Sequence, residues 1–165
     1  MEKSLAVANE LICLGTDHNA PPTQMKLQKL IYFAHGWHLA LFDEPLVDEQ
    51  FLAWAYGPVI PSVYNKFKVY RTLGIDKPGV ELVYTVNGFK WNIPCITDNT
   101  GNVKNLLDKI WDVFGKYSGT QLSEMVHIPN TPWKKIREEC KDAMDTPIPN
   151  KLIKDYFKGL MNNIE

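Results

Sequence analysis

Apolar positions recur at intervals of three and four through most of the chain, the period of helices with one face in a core, and turn residues cut the pattern into segments. Leu5, Ala8, Leu11 and Ile12 form the first stripe, with Ser4 placed as N-cap and Gly15 as terminator, so a helix is predicted from Ser4 to about Leu14. Thr23 can cap a longer helix in which Leu27, Leu30, Ile31, Ala34, Trp37, His38 and Leu41 share one face. Tyr32, Phe33, Leu39 and Phe42 fill its flanks, which predicts a helix enclosed on most sides. Pro61, suited to a first helical position, leads Val63, Tyr64, Phe67 and Tyr70 into a helix ending near Tyr70.

The later stripes are as regular. Val103, Leu106, Leu107, Ile110, Trp111 and Phe114 mark one helix, and Ser118 with Gln121 has the spacing of a capping box ahead of Leu122 to His127. Thr131-Pro132 starts a helix from Trp133 to Cys140, and a terminal one follows Pro149 with Ile153, Tyr156, Phe157, Leu160 and Met161 inward.

Period two appears twice. Val80 to Val86 and Phe89 to Ile93 flank Asn87-Gly88, a dipeptide that takes the positive φ angles of a type I′ turn, so a hairpin is predicted there. Phe51 to Trp54 alternates over too few residues to decide, but a short strand fits, with Tyr56-Gly57-Pro58 turning after it. Two strands alone are marginal in water, so the hairpin needs a neighbour: the strand near Phe51 or the helices. The predicted fold is mainly α, a single compact domain over residues 1–165 with about six helices and a small β-hairpin, without internal repeats.

Composition adds exclusions. Eighteen Lys and Arg against nineteen Asp and Glu leave a net charge of -1, without the broad positive field that drives binding to phosphate backbones, so nucleic acid is not a leading partner. Lys26, Lys29, Lys66, Lys68 and Arg71 read as a solvated face. No apolar run reaches the ~20 residues of a membrane span, and the N-terminal residues do not lead into a signal-peptide core, which places the protein in the cytoplasm away from membranes. Cys13, Cys95 and Cys140 are odd in number and far apart, as expected of buried thiols in a reducing compartment.

Candidate chemistry is thin. His35 and His38 are three apart on the long helix, a spacing for two metal ligands, but no acidic partner stands nearby and the reading as packing or hydrogen-bonded histidines is preferred. His127 and the cysteines lack a recognisable third group, and no Gly-x-Ser-x-Gly, P-loop or Gly-x-Gly-x-x-Gly is present, so no catalytic residue, metal ligand or cofactor is assigned. The helices between Ser118 and Cys140 have helix-turn-helix spacing, but Glu138 and Glu139 follow Lys134, Lys135 and Arg137 at once, which favours ordinary packing. Trp54 to Tyr64 is different: three aromatics, a glycine and two prolines gather where the chain turns, an aromatic corner that serves as a core joint or a contact surface.

Several blocks together resemble the Panacea family of SocA/GepA-like antitoxins. They are the run from Lys26 through Leu27-Gln28-Lys29-Leu30-Ile31-Tyr32-Phe33-Ala34-His35 to Ala40, Pro45-Leu46, Ala53-Trp54-Ala55-Tyr56-Gly57-Pro58-Val59 with Pro61 and Val63-Tyr64, and the late Leu122, His127 and Pro132-Trp133. The resemblance runs in order over nearly the whole chain. It implies a phage- or mobile-element-associated antitoxin that neutralises a cognate protein toxin by direct binding, and the SocA branch resembles a proteolytic adaptor that carries its toxin to the ClpXP protease. On this reading the candidate partner-binding residues are Trp54, Tyr56, Gly57, Pro58, Tyr64 and His35. The alternatives are a DNA-binding repressor of its own operon and a phage hydrolase using His35, His38 or His127.

Overall fold

A computed structural model describes residues 1–140 and 145–163. Among these, seven α-helices and two antiparallel strand pairs follow in the order α1 (Ser4–Asp17), α2 (Gln24–Phe42), β1 (Leu52–Trp54), β2 (Gly57–Val59), α3 (Pro61–Phe67), β3 (Glu81–Thr85), β4 (Gly88–Asn92), α4 (Asn102–Phe114), α5 (Gly119–His127), α6 (Pro132–Glu139) and α7 (Asn150–Asn162). One turn of 3-10 helix, Lys68–Tyr70, continues α3. The chain is therefore mainly α with a minor β component.

The centre of the molecule is α2. Fourteen of its nineteen residues are buried, so it has no solvent face of ordinary width. It packs on α7, α5, α4, α1, β2 and α3. Tyr32 meets Phe51 and Phe157 edge-on, and Phe33 stacks on Phe114 at 4.6 Å between ring centres, so one aromatic cluster joins α2 to α4 and α7. Thr23 caps α2 through its side chain, as its position predicts, and Asp43 ends it in a left-handed conformation with φ of 63°.

The first helix departs from its prediction at both ends. Lys3 is the N-cap, and the Ser4 hydroxyl and amide both donate to Asp48 Oδ1, so Ser4 ties α1 to the loop before β1. The helix continues through Gly15 to Asp17, because Gly15 is a buried position packed near Pro22 and Trp111. The cysteines also differ from expectation: Cys13 and Cys95 are exposed and Cys140 is half-buried, since Cys13 lies on the solvent side of α1 and Cys95 in the loop after β4. Leu41, expected on the buried stripe, is exposed as well, in the last turn of α2.

Both strand pairs turn by one device. Each passes through two residues without positive φ, Ala55-Tyr56 or Val86-Asn87, and then a glycine with positive φ, Gly57 at 108° or Gly88 at 97°. The turn of the second hairpin thus falls on Val86-Asn87, with Thr85 opposite Gly88, one residue earlier than a type I′ turn on Asn87-Gly88. β1 pairs with β2 and not with this hairpin, because its other edge is occupied: Ala53 N–H donates to Thr146 O, and Ile148 N–H donates to Phe51 O.

Candidate functional site

The aromatic corner is heavily braced backbone. Its carbonyls are met in turn by side chains from three helices. Arg137 of α6 donates to Ala53 O at 3.4 Å, and Trp133 of the same helix donates its indole N–H to Trp54 O at 2.8 Å. From α5, His127 Nε2 lies 3.4 Å from Ala55 O, and Ser123 Oγ donates to Tyr56 O at 2.8 Å. From α2, Lys29 Nζ donates to Pro58 O at 3.1 Å.

Two glutamines of α2 extend the brace into the start of α3. Gln28 exchanges two bonds with the backbone of Ile60, accepting from its N–H at 2.9 Å and donating to its carbonyl at 3.3 Å, and Gln24 donates to Tyr64 O at 2.7 Å. Gln24 and Gln28 are one turn apart, so a single face of α2 presents both amides to the chain between β2 and α3. Groups that would otherwise be short backbone strands with few ladder bonds are thereby satisfied by side chains.

Lys29 is the unexpected member. It is 1 % exposed, and burial alone pushes its ammonium group down to about 7 from an ordinary 10.5. Its neighbour is Gly57, where an added Cβ would lie 2.5 Å from Lys29 Cε and 2.9 Å from both Lys29 Nζ and Val126 Cγ2. The reading of Lys29 as part of a solvated face is therefore corrected: the turn 28 residues downstream folds over it. Lys26, also assigned to that face, is half-buried, donating to Gly115 O with its ammonium 5.0 Å from the Trp111 ring centre.

Beside the corner lies a cavity of about 640 Å³ bounded by the first turns of α2, by Trp54 to Tyr56, by Tyr64, Lys68 and Arg71 after β2, and by Ser118 to Thr120 at the start of α5. The described residues that line it include three cationic side chains, Lys29, Lys68 and Arg71, and no carboxylate. Tyr56 stands on its edge with 71 % of its surface exposed, and Trp54 packs edge-on against Tyr64 at 5.0 Å. Gln24 Oε1 and Trp54 Nε1, both turned away from solvent, have no hydrogen-bond partner among the described residues.

Of the six candidate partner-binding residues, five converge on this corner: Trp54, Tyr56 and Tyr64 as side chains, Gly57 and Pro58 as the buried backbone that fixes them. His35 does not join them. It is fully buried about two turns farther along α2 than Gln28, where Nδ1 accepts the Val47 N–H and Nε2 faces Asn150 Oδ1 at 3.0 Å, and burial lowers its pKa to about 4. His38 is likewise engaged, its Nδ1 2.7 Å from Glu44 O. His127 sits on the Trp133 ring, so the three histidines do not share a site. Among the described residues no three His, Cys, Asp or Glu side chains gather as a metal ion would require.

Fold and site together define a mainly α protein built around one enclosed helix, whose most constructed surface is a braced aromatic corner beside a cavity. Residues 27–134 match the family described as Antitoxin SocA-like, Panacea domain. Over 155 residues the chain is 30 % identical to the antitoxin SocA of Caulobacter vibrioides (strain NA1000 / CB15N), covering 93 % of this chain and 81 % of that protein. No solved structure matches it. The chain belongs to the SocA-like Panacea family of antitoxins.

Proposed function

We propose that this antitoxin neutralises a cognate protein toxin by holding it directly, as one cytoplasmic domain spanning residues 1–165, with the aromatic corner and its cavity as the contact surface and without catalysis. The observation that carries the reading is the bracing of the corner: five backbone carbonyls between Ala53 and Pro58 are met by side chains from three helices, while Tyr56 is left exposed. A surface ordered before binding loses little conformational entropy when a partner docks, and aromatic anchors in such surfaces dominate affinity. The lining, mostly apolar with Lys68 and Arg71 and with no carboxylate among the described residues, suits a toxin segment that brings an apolar side chain and an acidic group.

The test is co-expression with the toxin encoded beside it. The wild-type chain restores growth and co-purifies with the toxin, whereas Tyr56→Ala and Arg71→Glu weaken both together, since loss of an anchor costs about 2 kcal/mol, roughly thirtyfold in affinity. Rescue that persists without a detectable complex, or that fails in folded His38→Gln protein, overturns the reading. Rescue confined to cells containing ClpXP assigns the adaptor mode, in which the bound toxin is delivered for proteolysis.

A further inference from the structure

The hairpin β3–β4 carries an apolar face that no part of the described chain covers. Alternation and register place Leu82 opposite Trp91 and Tyr84 opposite Phe89, with Val80 and Ile93 continuing the same face at its base. All six are exposed, Tyr84 by 76 %, Phe89 by 72 % and Trp91 by 69 %. The charged residues Glu81 and Lys90 lie on the other face with Val83 and Asn92.

The hairpin is attached at its base and otherwise stands off the helices. Asn9 of α1 clamps the base, donating to Gly79 O and Pro94 O at 3.0 Å each and accepting from Gly79 N–H at 2.7 Å. Lys66 donates to Val80 O at 2.7 Å, and Lys3 pairs with Glu81 at 2.6 Å. Neither helix nor strand packs extensively on it apart from its own two strands. An anchored two-stranded ribbon of this kind is marginal in water unless its apolar face is covered.

We propose that the cover is the same face of a second copy, so that the protein is a two-fold dimer joined through β3–β4. Three features argue for that occupant. The six residues present on the order of 700 Å² of accessible surface, most of it apolar, at the top of the ~300–600 Å² patch of an ordinary monomer and close to the ~800 Å² each partner gives a standard interface. The face is uncharged, so an identical copy meets no like-charge repulsion. It also pairs a large aromatic with an aliphatic residue at one step and two aromatics at the next, which a two-fold axis can interleave as two sheets packed about 10 Å apart. This inference does not rest on the toxin-binding site, which lies elsewhere on the chain.

Sedimentation equilibrium of the full chain from about 1 to about 200 µM tests it. The expected result is a doubling of mass within that range and a shift of at least tenfold toward monomer in Phe89→Lys/Trp91→Lys, with the circular dichroism spectrum unchanged. If the lysine pair unfolds the chain, Trp91→Ser and the wild-type equilibrium carry the test. A wild-type chain monomeric throughout overturns the proposal, as does a dimer indifferent to both variants. A monomer whose toxin complex is broken by the same substitutions also overturns it, assigning the face to the toxin.

Discussion

Lys29 keeps an amine in the core with one carbonyl as partner and, among the described residues, no carboxylate to balance it, so its protonated form is disfavoured by folding. The pH dependence follows from that sign. The unfolded chain takes up the proton near 10.5 and the folded chain only near 7, so this group's contribution is most favourable above pH 10.5, falls as pH drops toward 7, and is level below that. The expected outcome is a chain more stable at pH 9 than at pH 7, by up to ~1.4 kcal/mol per pH unit from this group, with a flatter profile in Lys29→Met; equal slopes in chemical denaturation would contradict it. His35 acts in the same sense at lower pH. Its folded pKa of about 4 lies below an ordinary 6.5, so stability is lost as pH falls between those values, and His35→Gln reduces that loss. Gly57 is the neighbouring constraint: with φ of 108° and Lys29 Cε 2.5 Å from an added Cβ, Gly57→Val lowers stability by roughly 2 kcal/mol or more, and an unchanged melting temperature contradicts this. The aromatics of the corner were legible from their clustering at a turn, but Lys29 was not, because what buries it is non-local. A signal was present: in a helix predicted to be enclosed on most sides, Gln24, Gln28 and Lys29 had to be paired inside.

At the scale of elements, legibility followed how local the determinants are. Helices α2, α5 and α6 begin at Thr23, Ser118 and Thr131, each capping through its own side chain, and every one of these was readable because a cap and the amide it satisfies lie three residues apart. The box at Ser118 is complete, with Gln121 Oε1 accepting the Ser118 N–H at 2.8 Å and Ser118 Oγ accepting the Gln121 N–H at 3.2 Å. Ser118→Ala therefore costs about 1 kcal/mol in thermal or denaturant unfolding, and because Ser118 to Thr120 border the cavity, the same variant loosens that wall. The strands are less legible. The turns at Tyr56-Gly57-Pro58 and Asn87-Gly88 can be read from the residues, but the segment on the second edge of β1, around Pro147, is distant and no local pattern announces it. The turn at Val86-Asn87 shows that Asn-Gly marks a hairpin without fixing its register: glycine alone takes the positive φ, one residue after the turn proper. The cysteines differ from expectation for a related reason: Cys13 is a small residue on a helix edge, Cys95 stands in a loop and Cys140 at a helix end, and at none of these does the local pattern say which side is covered.

For the whole molecule, the arrangement around α2 puts the two surfaces on separate parts of the chain. The corner is braced by α2, α5 and α6, whereas the hairpin hangs from Asn9 of α1 and Lys66 of α3. Neither the lining of the cavity nor the bracing bonds include a residue of β3 or β4. Coupling between contacts that share no partner is expected to be weak, so substitutions at the two surfaces should act independently. Tyr56→Ala with Arg71→Glu is expected to abolish rescue from the toxin and leave the dimer's sedimentation unchanged. Phe89→Lys/Trp91→Lys is expected to release monomers that still bind the toxin with affinity within about threefold of wild type, a difference of roughly 0.6 kcal/mol. The quadruple variant should lose both properties by the sum of the separate losses. Isothermal titration with purified toxin and sedimentation of each variant measure the two quantities on the same preparations. A hairpin variant that loses toxin affinity in step with its dimer would show that the toxin reads the assembled pair and would contradict independence.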